Sequence, residues 1–211
     1  MNQKVQNLMK EYVSKIINAP LNLTSHKDLE IAYQLLAVDS IKPIKASDIG
    51  EVFLDVGTGG GVPGVFLRMI FDVQGVLVDS SKKKISYVER ICRELKIDRL
   101  EFIGERVENL RSYREKFDAV TAKAVAELRI LLELTAPFAK VGGKLLLYKG
   151  PRWKEEYKVS ENAMIQLGIS LDEVREYEIL NKKRFLLVFG KKFPAPEKYP
   201  RKYSQIIKKP L

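Results

Sequence analysis

The 211 residues contain one cysteine, one histidine and one tryptophan. With Cys92 alone, neither a disulfide nor a thiolate metal cluster can form within the chain. With His26 alone, zinc sites built from His and Cys are all but removed, as are Ser-His and Cys-His nucleophilic pairs. The longest apolar run, Phe185 to Phe189, falls far short of the roughly 18 residues needed to cross a bilayer. The opening Met1-Asn2-Gln3-Lys4 leads into a mixed pattern and not into an apolar targeting segment. The expectation is a cytoplasmic protein, a monomer, without membrane or metal partners.

What is present is ordinary for a folded body: 45% apolar and 30% charged residues. Thirty-seven Lys and Arg against twenty-seven Asp and Glu leave a formal +10, which suits a protein that meets a polyanion. The charge is uneven. The last segment, 191–211, holds six lysines, Arg201 and four prolines against the single acid Glu197, a net +6, leaving +4 for the preceding 190 residues. It reads as an extension and not a core element, one that either meets a polyanion or, through Tyr199 and Tyr203, folds back over the body with its lysines in solvent.

Periodicity divides the rest. Residues 1–50 read as a helical cap: Val5, Leu8, Met9, Tyr12 and Ile16 recur at helical spacing, Leu29, Tyr33, Leu36 and Ala37 repeat it after Thr24 to Asp28, and a short third helix starts near Ser47. Residues 51–190 alternate strand and helix. Strands are expected at 52–56, 75–79, 100–103, 117–122 and 144–148, and helices at 82–95, 128–139 and 153–167. Two last strands, near 174–179 and 184–189, form a hairpin across Leu180 to Lys183. Short apolar strands covered on both faces require an α/β sheet, here mostly parallel with an antiparallel edge.

The chemistry concentrates at Asp55-Val56-Gly57-Thr58-Gly59-Gly60-Gly61-Val62-Pro63-Gly64. Glycines after a strand let the backbone turn sharply and approach a ligand, and the next helix presents free N–H groups to it. Asp79 ends the second strand 22 residues after Gly57, where an acid can accept hydrogen bonds from both hydroxyls of a ribose. Gly57, Gly59 and Gly61 depart from the Gly-x-Gly-x-x-Gly of dinucleotide sites, and Asp55 would repel a pyrophosphate while receiving an amino-acid ammonium. S-adenosylmethionine, which has an ammonium and no phosphate, fits better; a dinucleotide, or a turn serving only packing, are the alternatives. Ser80 follows the ribose acid, and Glu105 and Arg106 follow the third strand, beside the place of an adenine or of a substrate phosphate. Lys123 ends the fourth strand and is expected either in the crevice or bridging Asp55 or another acid; Lys149 and Arg184 add further positive charge.

Asn22-Leu23-Thr24, Asp39-Ser40, Phe53 to Gly64, Asp79-Ser80, Arg106-Val107-Glu108, Ala124 to Leu128, Lys149-Gly150, Arg184, Tyr199-Pro200-Arg201 and Lys208 to Leu211 together resemble the bacterial 16S ribosomal RNA guanine-N7 methyltransferase family, also called the glucose-inhibited division protein B family. Leu36 stands where that family usually has a histidine, and Ala122-Lys123-Ala124 replaces its Ser-Arg-Ala, losing the planar fork of arginine. The resemblance implies a class I S-adenosylmethionine-dependent methyltransferase with a Rossmann-like seven-stranded sheet. It implies methyl transfer to a guanine N7 in 16S RNA or the 30S subunit, releasing S-adenosylhomocysteine, by in-line attack without a general base. Asp55, Gly57, Thr58, Gly59, Gly61, Asp79, Ser80, Glu105, Arg106 and Lys123 would hold the cofactor, and Lys123 and Arg106 would position the reactants. Asn22, Lys149, Arg184, Lys198, Arg201, Lys202, Lys208 and Lys209 would meet RNA. Methylation of another RNA or a small molecule, and a non-catalytic RNA-binding role, are the competing readings.

Overall fold

The computed structural model describes residues 2–211. Its centre is a seven-stranded sheet of β1 (Val52–Val56), β2 (Gln74–Val78), β3 (Leu100–Ile103), β4 (Phe117–Lys123), β5 (Ala139–Lys149), β6 (Ile169–Ile179) and β7 (Lys182–Lys191), in the order β3-β2-β1-β4-β5-β7-β6. All neighbours are parallel except β7, which pairs antiparallel with both β5 and β6. The order reverses between β1 and β4, the switch point at which an α/β sheet opens a crevice at its strand ends.

Alternation along β1 splits the core: Phe53 faces one layer, Leu54 and Val56 the other. The Phe53 face is covered by α1 (Gln3–Ile17), α4 (Gly64–Ile70) and α5 (Lys82–Glu94). Asn2 caps α1 by accepting from the Lys4 N–H, and Met9, Tyr12, Val13 and Ile16 form its buried stripe. Ser81 caps α5, which buries Ile85, Val88, Ile91 and Cys92; burial pushes the Cys92 thiol up to about 12, so it stays an inert core group. After α1 the chain runs through α2 (Leu29–Ala32), a π-helical stretch (Tyr33–Val38) and α3 (Asp39–Ile41), and the helix expected near Ser47 is a single 3-10 turn, Ala46–Asp48. The opposite face is covered by α6 (Leu128–Thr135), α7 (Trp153–Lys158) and α8 (Glu161–Leu167).

Several elements differ from the periodicity reading. The helix expected over 128–139 ends at Thr135 and passes through a single 3-10 turn, Ala136–Phe138, into β5, which starts at Ala139 instead of 144. The single helix expected over 153–167 is broken at Val159-Ser160, where the Ser160 hydroxyl donates to the Glu156 carbonyl, 2.7 Å away. The hairpin strands are longer than expected because the turn closes on only two residues, Leu180 and Asn181, both at positive φ (48° and 57°).

The tail is also different. Residues 192–211 do not leave the core: Ala195, Tyr199 and Ile206, the last on α9 (Tyr203–Lys208), lie in the same cluster as Leu131 and Leu132 of α6. The crossover from β3 to β4 has two single turns, Val107–Asn109 and Arg111–Tyr113, in place of a helix, and the tail supplies the missing cover. Prolines give the tail carbonyls few internal donors, and arginines answer them: Arg111 donates to Glu197 O at 2.7 Å and Pro200 O at 3.0 Å, and Arg114 to Ala195 O at 2.8 Å. Arg201 makes a two-pronged pair with Glu133 of α6, at 2.8 and 2.6 Å, with the glutamate side chain fully buried.

Removing one partner of such a pair strands a buried charge. Arg201→Ala is expected to lower the unfolding free energy by about 3 kcal/mol in urea denaturation, and a change below about 1 kcal/mol would show that the tail does not clasp the body.

Candidate active site

The ends of β1, β4 and β5 and the start of β7 open into a cleft of about 1290 Å³. Its floor is the glycine turn. Gly57 and Thr58 donate their N–H groups to Val78 O of β2 at 2.8 and 3.0 Å, and Gly59 N donates to Asp79 Oδ2 at 3.0 Å. Gly57 and Gly61 have left-handed backbones (φ 71° and 79°), and each is closely pressed: a Cβ at Gly57 would stand 2.7 Å from Val125, and one at Gly61 would overlap the Tyr12 hydroxyl. Tyr12 in turn donates to Gly60 O at 2.8 Å, so α1 steadies the turn from behind.

Asp55 lies under this turn and departs from its expected role. It is fully buried and does not line the cleft. Its Oδ2 accepts from the Thr58 hydroxyl at 2.6 Å and Gly64 N at 2.9 Å, and its Oδ1 from the Thr121 hydroxyl at 2.9 Å. A carboxylate with both oxygens engaged inward braces the turn instead of facing a ligand. Burial raises its carboxyl to about 6 in spite of these donors.

The cap forms one wall, with Leu23, His26, Ile31, Leu35, Leu36 and Asp39. Lys123 reaches across from β4, its Nζ 2.9 Å from Asp39 Oδ2 and 2.8 Å from Leu35 O, while the Tyr177 hydroxyl donates to Asp39 Oδ1 at 2.7 Å. Of the two positions expected for Lys123, it takes both: it lies in the cleft and pairs with an acid, and that acid is Asp39. Burial pulls its ammonium down from the usual lysine range, with Asp39 acting against the shift. Lys149 also lines the cleft, paired with Glu156 and donating to Ala126 O at 3.0 Å.

Gly57, Thr58, Gly59, Asp79, Ser80, Lys123, Lys149 and Arg184 therefore meet around one cleft. Other expected residues do not. Gly61 packs inward against Tyr12 and Val65. Glu105 accepts from Arg106 N and the Asn109 amide, and the Arg106 guanidinium lies over the Tyr203 ring at 5.2 Å, held by the tail. Asn22 is exposed outside the cleft, although its neighbour Leu23 lines it. Arg201 is taken up by Glu133; Lys198, Lys202, Lys208 and Lys209 lie exposed on the tail, away from the cleft lining. His26, Asp39, Tyr177, Arg152 and Lys182 are cleft residues that residue-by-residue reading did not place. For Lys182 and Arg184 the signal was there: positions i and i+2 of a strand share a face. Among the described residues, no helix is long and apolar enough to cross a membrane, and no group of three or more His, Cys, Asp or Glu is placed to hold a metal ion.

Residues 3–184 match the family described as rRNA small subunit methyltransferase G. The chain belongs to that family. Its curated relatives include ribosomal RNA small subunit methyltransferase G of Fervidobacterium nodosum, 50% identical with 97% of each chain covered, and that of Thermotoga maritima, 40% identical over 95% of this chain and 85% of the relative. Solved structures of like fold include an rRNA methylase from Streptococcus thermophilus (TM-score 0.52, 20% identity, 70% of this chain and 92% of that one). A geranyl diphosphate methyltransferase solved with GPP and sinefungin is another (TM-score 0.62, 14% identity, 89% and 100%). The fold is that of the class I S-adenosylmethionine-dependent methyltransferases, as the sequence led us to expect.

The buried Asp55 makes a pH signature. Its folded value of about 6 lies above the roughly 4 of an unfolded aspartate, so between those values the folded state keeps a proton that the unfolded state has released. Its contribution to stability falls as pH rises from about 4 to about 6 and is level beyond. Asp55→Asn is therefore expected to gain on the parent protein by on the order of 2 kcal/mol between pH 4 and pH 7, read from urea unfolding; a constant difference would contradict the buried-carboxylate account.

Proposed function

We propose that this protein transfers a methyl group from S-adenosylmethionine to N7 of a guanine in 16S ribosomal RNA. Membership of the rRNA small subunit methyltransferase G family supports the reaction class and the RNA substrate. The observation that carries the choice of atom is the state of the acids in the cleft. Asp39 and Glu156 are already paired with Lys123 and Lys149, and Asp79 is bonded to the glycine turn and to Ser81 N. Carboxylates already engaged by the protein's own donors suit a nucleophile that has no proton to lose. Guanine N7 would present its in-plane lone pair to the methyl group that the cofactor supplies, with no proton to remove and with positive charge left on the purine ring. Alignment and exclusion of water are then the main tasks.

The residues fit the cofactor. Asp79 is half-buried at the cleft edge, where its carboxylate can accept from ribose hydroxyls, and a Cβ at Gly59 would meet nothing closer than the Gly57 carbonyl at 3.9 Å, so that part of the turn is open to a ligand. S-adenosylmethionine would supply the electrophilic methyl group. Gly57, Thr58, Gly59, Asp79 and Ser80 bind, and Asp55 keeps their backbone in place from below. Lys123 sits where a bare cation would oppose the charge growing on guanine; its ion pair with Asp39 cancels most of that field while leaving its stem as a wall.

Incubation of the protein with labelled S-adenosylmethionine and 16S RNA or 30S particles from methylation-deficient cells should place the label on guanine N7. Label on another atom, or none on either substrate, would overturn the proposal. Asp79→Ala is expected to weaken S-adenosylmethionine binding at least tenfold by calorimetry, since two charge-assisted hydrogen bonds are lost; unchanged affinity would remove Asp79 from the cofactor site.

A further inference from the structure

The two walls of the cleft are chemically unlike. The cap wall is apolar apart from His26 and the paired Asp39, whereas the opposite wall presents Arg152 from the β5–α7 loop and Lys182 and Arg184 from β7. The topology explains the second wall. Since β7 runs antiparallel, it begins where β1, β4 and β5 end. Leu186 and Val188 lie in the core layer under the cap, and the same row continues outward through Arg184 and Lys182 to the cleft mouth, with Tyr177 and Ile179 opposite them on β6.

Charge pairing separates these cations from the deeper ones. Lys123 and Lys149 have carboxylate partners, but among the described residues Arg152, Lys182 and Arg184 form no ion pair, and neither does the single cleft lysine of α5, Lys84. Arg184 is only half-exposed and its charge acts against that of Lys123. Like charges gathered on one bank without a counter-charge repel each other, and a polyanion relieves that repulsion. The tail, in contrast, turns part of its charge to the protein itself: Arg201 pairs with the buried Glu133, Lys191 is buried and donates to Leu167 O, and Lys192 pairs with Asp172 at the surface. The tail also packs on the sheet face opposite the cap.

We infer that single-stranded RNA is gripped at the hairpin bank of the cleft, with backbone phosphates on Arg152, Lys182 and Arg184 and the incoming base laid against Leu23, His26 and Leu36 of the cap. The inference rests on the reading that RNA is the substrate, and it assigns the grip to the cleft mouth and not to the basic tail. A splayed nucleotide has this same two-sided character, an anionic backbone and an apolar, stackable base.

Filter binding of 16S RNA over a range of KCl concentrations tests it. Each phosphate contact in a single strand contributes about 0.7 to the slope of log affinity against log salt. Arg152→Gln/Lys182→Gln/Arg184→Gln is expected to lower the slope by about 2 and to weaken binding more than tenfold in ~0.1 M salt, with S-adenosylmethionine affinity held within about twofold. The double variant at the exposed Arg152 and Lys182 should lower it by about 1.4, which guards against an effect of Arg184 on folding. His26→Ala should raise the KM for RNA at an unchanged slope, as befits a stacking contact. A parental slope in both hairpin-bank variants would overturn the inference, as would a loss of slope confined to Lys198→Gln/Lys208→Gln/Lys209→Gln. Binding of RNA by the parent protein without any salt dependence would instead count against the RNA-substrate reading itself.

Discussion

Everything at the catalytic end of this molecule hangs from one buried carboxylate. Asp55 ends β1, and its two oxygens gather the glycine turn through Thr58, the start of α4 through Gly64, and β4 through Thr121. Burying a charge is costly, and these three hydrogen bonds offset only part of that cost, so the loss of any one of them leaves the carboxylate worse off. That dependence couples the pieces: the turn cannot relax without orphaning a charge in the core. The carboxylate thus shapes the binding surface without being part of it.

A second set of polar contacts joins the helical cap to the sheet. Lys123, Asp39 and Tyr177 come from β4, α3 and β6, and Tyr148 of β5 donates to Ser40 O. Further out, Asp48 takes Arg175 in two contacts and Lys144 in a third. Helices as short as α2 and α3 would not persist alone in water. Held by these anchors, they become a wall of the cleft, and the first 50 residues act as part of the site. The pairing of Lys123 with Asp39 also leaves a nearly neutral pair on that side of the cleft in place of a free lysine.

The C-terminal segment shows how far composition can mislead about place. Its six lysines, one arginine and four prolines describe an extended basic strand. In the structure it fills the gap left by a β3–β4 crossover that has no helix of its own, and Arg111, Arg114 and Glu133 bind its backbone and Arg201. Tyr199 and Ile206 are core residues. Three of the cleft cations without an ion pair, Arg152, Lys182 and Arg184, come from the β5–α7 loop and β7, and a fourth, Lys84, from α5.

The α/β class, the near-positions of the strands, the glycine turn with Asp79 and the family resemblance were all legible along the chain, because each rests on local periodicity or on a motif of near neighbours. Strand ends and the break at Ser160 were not, since they depend on pairing partners and on single hydrogen bonds. The same line divides the site. Gly57, Thr58, Gly59, Asp79 and Lys123 reach the cleft because a strand end in a parallel sheet must point there. Whether Asp55 faces a ligand or the core, whether Arg106 faces substrate or Tyr203, and which acid holds Lys123 were decided by side chains far apart in sequence competing for the same donors and acceptors. Sequence by itself determined which groups stand at the crevice end of the sheet; only tertiary packing decided which were left free to act there, because a charged side chain that finds a buried partner is no longer available to a ligand.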